Sequence, residues 1–443
     1  MDQRVKKLKN QRMVMISFDA VGQRDLEKLK AMPNFSKIRE KAAVCDHVQS
    51  VYPSITYPAH TSIVTGLKPA GHGIINNIKL QPQREKEDWF WFRKAIKAET
   101  IYDQAKKAGW KTAALLWPVT ARSSIDYCVP EIFANRKWQN QVMVSATSGP
   151  IRYQIDLLKR YGSIMDGINQ PNLDDFVVHS AVHTIHQYNP DLLMVHFTDV
   201  DTHRHNFGLD GVEIDQAMRR LDDRLGMLYE ALCQTGDMDK TTIVVLGDHC
   251  QMDTHTIVYP NYYLKQAGLF AREDNPLKYD FVAQHCDGSC YIYASKRMKK
   301  QLADANKEQK EMLLKPLKEA LLKMPKEAVY KIYLRKEAGA LGADPNCICM
   351  LEAKHGYYFQ NEWNRPFEKV EDCQGHAMKA THGYLPDQPE YETFFMMTGY
   401  GVKENAEVDK MYLWDEGPTI AKIMNIKLNE NNRDGKVKEQ LLE

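Results

Sequence analysis

Three short apolar runs in this chain each end in aspartate. Residues 14–18 lead into Asp19, residues 192–197 into Asp199 and Asp201, and residues 242–246 into Asp248 with His249 beside it. One aspartate after a strand is weak evidence, because it often caps the next helix. Three such sites with interleaved histidines say more. Carboxylates gathered on one edge repel one another unless cations neutralise them, and imidazole beside carboxylate is the usual setting for zinc. A candidate nucleophile lies in the hydroxyl- and proline-rich stretch 52–62, YPSITYPAHTS. A helix starting just after Thr56 would aim free amides and a favourable dipole at an anion. A threonine hydroxyl beside a divalent cation is acidified for attack on phosphorus. Without the aspartates, Thr56 would read as an ordinary helix cap.

The elements that must position these groups alternate. Strand patterns at 14–18, 112–117, 192–197 and 242–246 are interleaved with helical patterns at 26–41, 99–108, 174–188 and 212–233. Such alternation predicts parallel pairing in a layered α/β fold, whose ligands bind beyond the carboxyl ends of the strands. After Asp287 the pattern changes. A strand at 289–294, a lysine-rich amphipathic stretch at 296–324 and short strands at 329–334 and 347–351 predict a small α+β insert over 287–376. The main pattern resumes at 377, with a strand at 394–398 and a last helix at 419–424. The catalytic core is thus expected in two parts, 1–286 and 377–443, around the insert.

A chain of 443 residues, 43% of them apolar, is long enough for a sizeable core. Its 59 basic and 58 acidic residues give no bias toward nucleic acid or a membrane surface, so an anionic substrate must be met locally. No stable nucleic-acid or membrane partner is expected, and composition is silent on oligomeric state. The basic stretch 1–12 is followed by an apolar run too short for a signal-peptide core, and no run is long enough to span a bilayer, so a cytoplasmic location is expected. Nine cysteines are an odd number, and Cys286, Cys290, Cys347 and Cys349 lie in strand-like sequence; reduced, buried thiols are expected rather than a disulfide framework or a zinc ribbon.

The segment TYPAHTSIVTGLKP at 56–69, followed by HGIINN at 72–77, closely resembles the nucleophile region of the nucleotide pyrophosphatase/phosphodiesterases, a branch of the alkaline phosphatase superfamily. The likeness continues in order through Ser17-Phe18-Asp19, Leu116-Trp117-Pro118, Asp201-x-x-x-His205-x-x-Gly208, Gly247-Asp248-His249 and Thr381-His382-Gly383-Tyr384. The resemblance implies a layered α/β/α alkaline-phosphatase-like core with a mainly parallel sheet. It also implies two divalent metal ions; Asp and His donors suit zinc and are compatible with manganese. One ion would be held by Asp201, His205 and His382, the other by Asp19, Thr56, Asp248 and His249. Asn77 would donate to a non-bridging phosphate oxygen, and a phospho-threonine would form and be hydrolysed. Tyr57, by its place next to Thr56, is expected to contact substrate.

Several points stay open on the sequence. Asp199 and His203 share the spacing of Asp201 and His205, and only the latter pair keeps the following glycine. Cys250 stands where the family usually has glycine. His60 and His72 are expected to orient loops, and His183, His186 and His196 to be structural. The run Trp89–Phe92 suits packing or a base slot. The insert resembles the small domain of related bacterial members, through 341–345 and 351–359, and is expected to sit over the site. The disulfide-rich and nuclease-like modules of secreted vertebrate members have no counterpart here. The expected substrate is a small phosphate ester or nucleotide, cleaved as a phosphodiester or nucleotide pyrophosphate. A phosphomonoesterase, for which Arg122 is the candidate extra cation, a phosphonoacetate-type hydrolase and a phosphomutase are alternatives on the same scaffold. A binding protein without activity would be expected to have lost a ligand or the nucleophile.

Overall fold

Residues Met13 and Met15 of the first strand face one side of a sheet, and Val14, Ile16 and Phe18 the other; all five are buried. Successive side chains alternate across a strand, so burial of both sets marks a strand covered on both faces. The computed structural model describes residues 11–84, 86–271, 278–373, 375, 377–428 and 434–443. In chain order its strands are β1 (Arg12–Phe18), β2 (Ala43–Gln49), β3 (Thr112–Leu115), β4 (Tyr127–Val129), β5 (Leu192–Phe197), β6 (Thr241–Gly247), β7 (Met252–Val258), β8 (Phe281–Cys286), β9 (Ser289–Ala294), β10 (Val329–Leu334), β11 (Cys349–Ala353), β12 (Gly356–Phe359), β13 (Phe367–Lys369), β14 (Ala380–Thr381), β15 (Thr393–Gly399) and β16 (Met411–Tyr412).

The main sheet has eight strands in the order β16-β2-β15-β6-β1-β5-β3-β4. It is parallel except at β15, which runs antiparallel to both β2 and β6. The helices that matter most are α1 (Thr56–Thr65), α2 (Asp199–Phe207), α3 (Val212–Gln234) and α4 (Leu413–Ile423). Val14, Ile16 and Phe18 pack with α3 and with the helix Asn172–His183 on one side. Met13 and Met15 pack with α1, α4 and the helix Ile101–Lys107 on the other. The result is the expected α/β/α layering. Register sets the active edge: Phe18 is level with Phe197 of β5 and with Gly247 of β6. The chain therefore leaves all three strands at the same height.

Some elements differ from the sequence pattern for local reasons. The expected helix 26–41 is two, Leu26–Lys30 and Pro33–Arg39. Pro33 sits at the first turn of the second, and Met32 before it is extended, as proline requires of its predecessor. The lysine-rich stretch also splits, into Lys296–Asp304 and Lys307–Leu321, each started by a side-chain cap from Ser295 or Asn306. The last helix begins at Leu413 rather than 419 and runs through Pro418.

A second, antiparallel sheet, β10-β11-β9-β8, lies outside the main one. It begins at Phe281, ahead of residue 287; residue 376, the other expected boundary, and residues 1–10 of the basic N-terminal stretch lie outside the described residues. Its buried core includes Cys286, Cys290, Cys347 and Cys349, and all nine cysteines are free. Burial pushes these thiols up, Cys347 to about 12, as inert structural thiols require. Glu352 on β11 ties this sheet to the main body. Its Oε2 accepts from Tyr52 Oη at 2.8 Å and its Oε1 from the Leu385 N–H at 2.7 Å.

Two predictions follow from these buried charges. Asp199 heads α2 with no exposed side chain, and it holds Arg220 at 2.8 Å, Arg224 at 2.7 Å and His203 at 2.8 Å. Asp199→Ala leaves Arg224 buried and short of a partner, and should lower unfolding free energy in denaturant by about 3 kcal/mol; a loss near zero would contradict this account. Burial pushes the Glu352 carboxyl up to about 8. The folded state thus keeps a proton that the unfolded state releases, and stability is lost as pH rises through that value. Melting curves of Glu352→Gln, which cannot ionise, should gain on those of the unmutated protein between about pH 5 and about pH 9.

Candidate active site

The segment after β1 begins the site. Asp19 follows Phe18 directly, and Ala20 adopts a left-handed φ of 59° that turns its N–H to Asp248 Oδ1 at 3.2 Å. Asp248 and His249 follow β6 in the same way. Gly247, just before them, cannot carry a side chain, because a Cβ there would lie 2.0 Å from Val21 O. Between β2 and α1 the chain crosses to the same edge. The N-cap of α1 is Ile55 in extended conformation, with no side-chain cap bond, so Thr56 is the first helical residue. Its hydroxyl does not cap the helix. It points at His249, with Oγ1 3.1 Å from Nε2.

The atoms converge. His249 Nε2 is 3.3 Å from Asp19 Oδ1 and 3.2 Å from Asp248 Oδ2. Asp201 and His205, four apart on α2, share a helix face: Asp201 Oδ2 is 3.3 Å from His205 Nε2, and Asp201 Oδ1 is 3.9 Å from His382 Nε2. Ligand atoms of Asp201, His205 and His382 lie within 4.8 Å of one another, as do those of Asp19, Asp201 and His249. The two groups meet at Asp201. Asp199 and His203 are turned toward the arginines of α3 and do not join either group.

Electrostatics define what the cluster wants. Burial, then the nearby Asp201, pushes the Asp19 carboxyl well above the usual range; burial, then Asp19, does the same to Asp248. Burial lowers His249 well below an ordinary imidazole. Asp19 Oδ1 and Asp248 Oδ2 are buried without a hydrogen-bond donor. Unpaired buried carboxylates are costly, and oxygen donors interleaved with imidazoles fit two adjacent divalent cations of the zinc type.

Asn77 is anchored by its carbonyl side, Oδ1 accepting from the Tyr57 N–H at 2.9 Å. Its amide group is then left as a donor. Tyr57 itself is fully buried, its ring edge-on to Trp89 at 5.3 Å. Trp89 and Trp91 likewise pack, against Phe133. Arg122 is exposed, donates to Thr147 O at 3.2 Å and lies over Phe92. Cys250 is accommodated without crowding: its Sγ turns to Glu392 O at 3.2 Å, in space left by Gly22.

A family model described as type I phosphodiesterase / nucleotide pyrophosphatase matches residues 13–385. The chain belongs to this family. Human ectonucleotide pyrophosphatase/phosphodiesterase family member 1 is 25% identical over 244 residues, covering 53% of this chain and 23% of that protein. Venom phosphodiesterase 2 of Crotalus adamanteus is 22% identical over 410 residues, covering 89% of this chain and 43% of the venom protein. The chain thus spans less than half the length of these relatives. Among solved structures, human ectonucleotide pyrophosphatase/phosphodiesterase 5 is similar with a TM-score of 0.66 at 17% identity, covering 95% of this chain and 97% of that one. The murine counterpart, an inactive threonine-to-alanine variant in complex with AMP, has a TM-score of 0.65 at 17% identity, covering 96% and 97%. These structures share the alkaline-phosphatase-like fold.

The family motifs in this chain do not name every side chain at the cluster. His196, expected to be merely structural, is buried on β5 with Nε2 3.1 Å from Asp19 Oδ2. His60 bonds the Thr56 carbonyl and Ser17 Oγ, each at 2.9 Å, and lies 3.5 Å from Asp248 Oδ2. Gln251 donates to Asp201. Asp287 was missed altogether. It forms a two-residue Asp-Gly hairpin between β8 and β9, with φ 59° as such a turn requires. From that tip Oδ2 is 3.4 Å from His382 Nδ1, and Oδ1 is 3.1 Å from His285. The Gly288 N–H also donates to His382 O at 2.8 Å. The Asp-Gly pair was a readable turn signal in the sequence, but its partner is 95 residues away (382 minus 287). Carboxylates behind metal-binding histidines fix ring orientation and basicity. Asp287→Asn keeps the turn and should weaken zinc binding by about 10-fold to 100-fold in chelator competition; an unchanged affinity would remove Asp287 from this role.

Proposed function

We propose that this chain hydrolyses a phosphodiester or nucleotide pyrophosphate bond through a covalent phospho-threonine on Thr56. The observation that carries this reading is the position of the Thr56 hydroxyl. It stands at the first residue of α1, where free amides and the helix dipole favour an anion, and 3.1 Å from His249 within the carboxylate–imidazole cluster. Family membership supports the reaction class.

Asp201, His205 and His382 would hold one divalent cation, and Asp19, Asp248, His249 and Thr56 the other, zinc by preference with manganese compatible. When bound, the two ions supply Lewis-acid polarisation and neutralise developing charge. The protein's own groups do the rest. Thr56 Oγ1 attacks phosphorus in line, the phosphorus–oxygen bond to the leaving group breaks, and a threonine phosphate ester forms. Asn77, pinned through Oδ1 by the Tyr57 N–H, directs its amide protons to a non-bridging oxygen whose charge grows in the transition state. Water then attacks the same phosphorus and returns the hydroxyl to Thr56. His60 keeps the start of α1 in register by bonding the Thr56 carbonyl.

A phosphate monoester carries an extra charge and calls for a further cation at the cluster. The candidate, Arg122, is engaged with Thr147 and Phe92 instead, which favours a diester. With zinc supplied, nitrophenyl thymidine phosphate should be cleaved much faster than nitrophenyl phosphate. Thr56→Ala should lower the diester rate by about three orders of magnitude or more, with zinc still bound. Preference for the monoester would overturn the substrate class, and full activity of Thr56→Ala would overturn the nucleophile.

A further inference from the structure

Two asparagines stand side by side at 76 and 77, and they face different partners. Asn77 turns to α1, its Oδ1 accepting from the Tyr57 N–H at 2.9 Å. Asn76 is buried, 3% exposed, and turns to the small sheet. Its Nδ2 donates to His285 O of β8 at 2.8 Å and to Cys286 Sγ at 3.1 Å. Its Oδ1 accepts from the Ile78 N–H at 3.3 Å, which closes a side-chain turn over Asn77. One carboxamide therefore folds the backbone around Asn77 and fastens it to a strand 209 residues further along the chain.

The anchor is braced on its other sides. The His285 N–H donates to Asn361 Oδ1 at 2.9 Å, and His285 Nδ1 lies 3.1 Å from Oδ1 of Asp287, the carboxylate behind His382. Asn361 Nδ2 donates to Glu87 Oε1 at 3.0 Å, and Asn361 O accepts from Asn261 Nδ2 at 2.9 Å. Glu87 leads into the segment that pairs with Asn77 as a short two-stranded ribbon. Asn77 O accepts from the Phe90 N–H at 2.9 Å, Asp88 O accepts from the Lys79 N–H at 2.8 Å, and Ile78 bridges Trp89 between them. Both arms of the ribbon are thus tied to one residue of β8, the Asn77 arm to the His285 carbonyl through Asn76 and the Glu87 arm to its N–H through Asn361.

Ties of this kind matter most for a group whose direction is critical. A donor stabilises charge growing on a phosphate oxygen only if it is already aimed there, and a displacement of about 1 Å costs about a hundredfold in rate. Asn77 is gripped through its carbonyl oxygen, which leaves the aim of its amide to the backbone that carries it. An aspartate at 76 would set oxygen against the His285 carbonyl, and a serine would not reach it. We infer that Asn76 is a positioning residue of the hydrolysis proposed above: by fastening the backbone beside Asn77 to β8, it aims the Asn77 amide at the non-bridging phosphate oxygen. The inference rests on that reading of Asn77 and adds a buried residue that itself touches no substrate.

The test is a double-mutant cycle on the zinc-loaded full chain with nitrophenyl thymidine phosphate. Asn77→Ala should lower kcat about 100-fold, as loss of one such donor does. Asn76→Ala should lower kcat about 10-fold with KM within about twofold, because the donor remains but is misaimed. The double variant should be within about twofold of Asn77→Ala, since Asn76 acts through Asn77. Asn76→Ser keeps an oxygen for the Ile78 N–H and loses the reach to His285, so it should follow Asn76→Ala, and it takes that variant's place in the cycle if alanine does not fold. Zinc affinity in chelator competition should stay unchanged throughout. Losses that multiply in the double variant, an unaltered kcat in Asn76→Ser, or a zinc affinity that falls along with kcat would each overturn the positioning role. Orthovanadate, a phosphate mimic, reads the donor without turnover. Its calorimetric affinity for the zinc-loaded protein should fall in Asn76→Ala and in Asn77→Ala, and no further in the double variant. That pattern in protein that does not cleave the diester sustains the positioning role while the hydrolase reading fails; diester cleavage with full kcat in Asn76→Ser sinks the positioning role and leaves the hydrolase reading standing.

Discussion

Buried like charge at the end of a parallel sheet is the constraint around which this molecule is organised. Asp19 and Asp248 leave β1 and β6 at one level, and Asp201 joins them from the first turn of α2, just past the end of β5, because the three strands are in register and parallel. An arrangement of this kind is unfavourable by itself, and burial makes it more so. The surrounding structure answers with imidazoles at each carboxylate: His196 and His249 at Asp19, His60 and His249 at Asp248, His205 and His382 at Asp201. The site is therefore poised for cations because the fold itself concentrates negative charge there.

Supporting that cluster needs contributions from both sheets. The ends of β1 and β6 provide Asp19 and Asp248, α2 provides Asp201 and His205, and α1 provides Thr56. His382 arrives late in the chain and is backed by the β8–β9 hairpin of the smaller sheet. Close packing leaves little freedom: a Cβ at Gly383 would fall 1.7 Å from Cys286 O, and one at Gly288 2.4 Å from the Tyr384 ring. Glu352 and Tyr52 join the same small sheet to the segment leading into Thr56. The carboxylate–imidazole cluster and the placement of Thr56 thus share one set of supports.

Aromatic packing beside Thr56 divides wall from opening. Tyr57, Trp89, Trp91 and Phe133 interlock edge to face and are largely withdrawn from solvent. The opposite face of the same ribbon carries lysine and arginine over Phe90 and Phe92. A run of four aromatics in sequence cannot point one way on an extended strand, and here the alternation gives one apolar and one cationic face.

The sequence by itself determined the layered α/β class, the main strands and the family, and it singled out the Asp, His and Thr residues that the structure brings together. It could do so because buried parallel strands are continuous apolar runs and because strand-end aspartates with nearby histidines are local signals. Short elements with mixed polarity were illegible: β2 and β7 carry partly exposed polar side chains, and Pro33 divides a pattern that looks like one helix. Only the tertiary structure decided between Asp201 and Asp199, since both have a histidine four residues on and differ in whether α3 arginines claim them. Only it placed His196, Gln251 and Asp287 around the cluster and withdrew Tyr57 into the core. Those outcomes depend on contacts between residues far apart in the chain, and residue type and spacing carry no record of them.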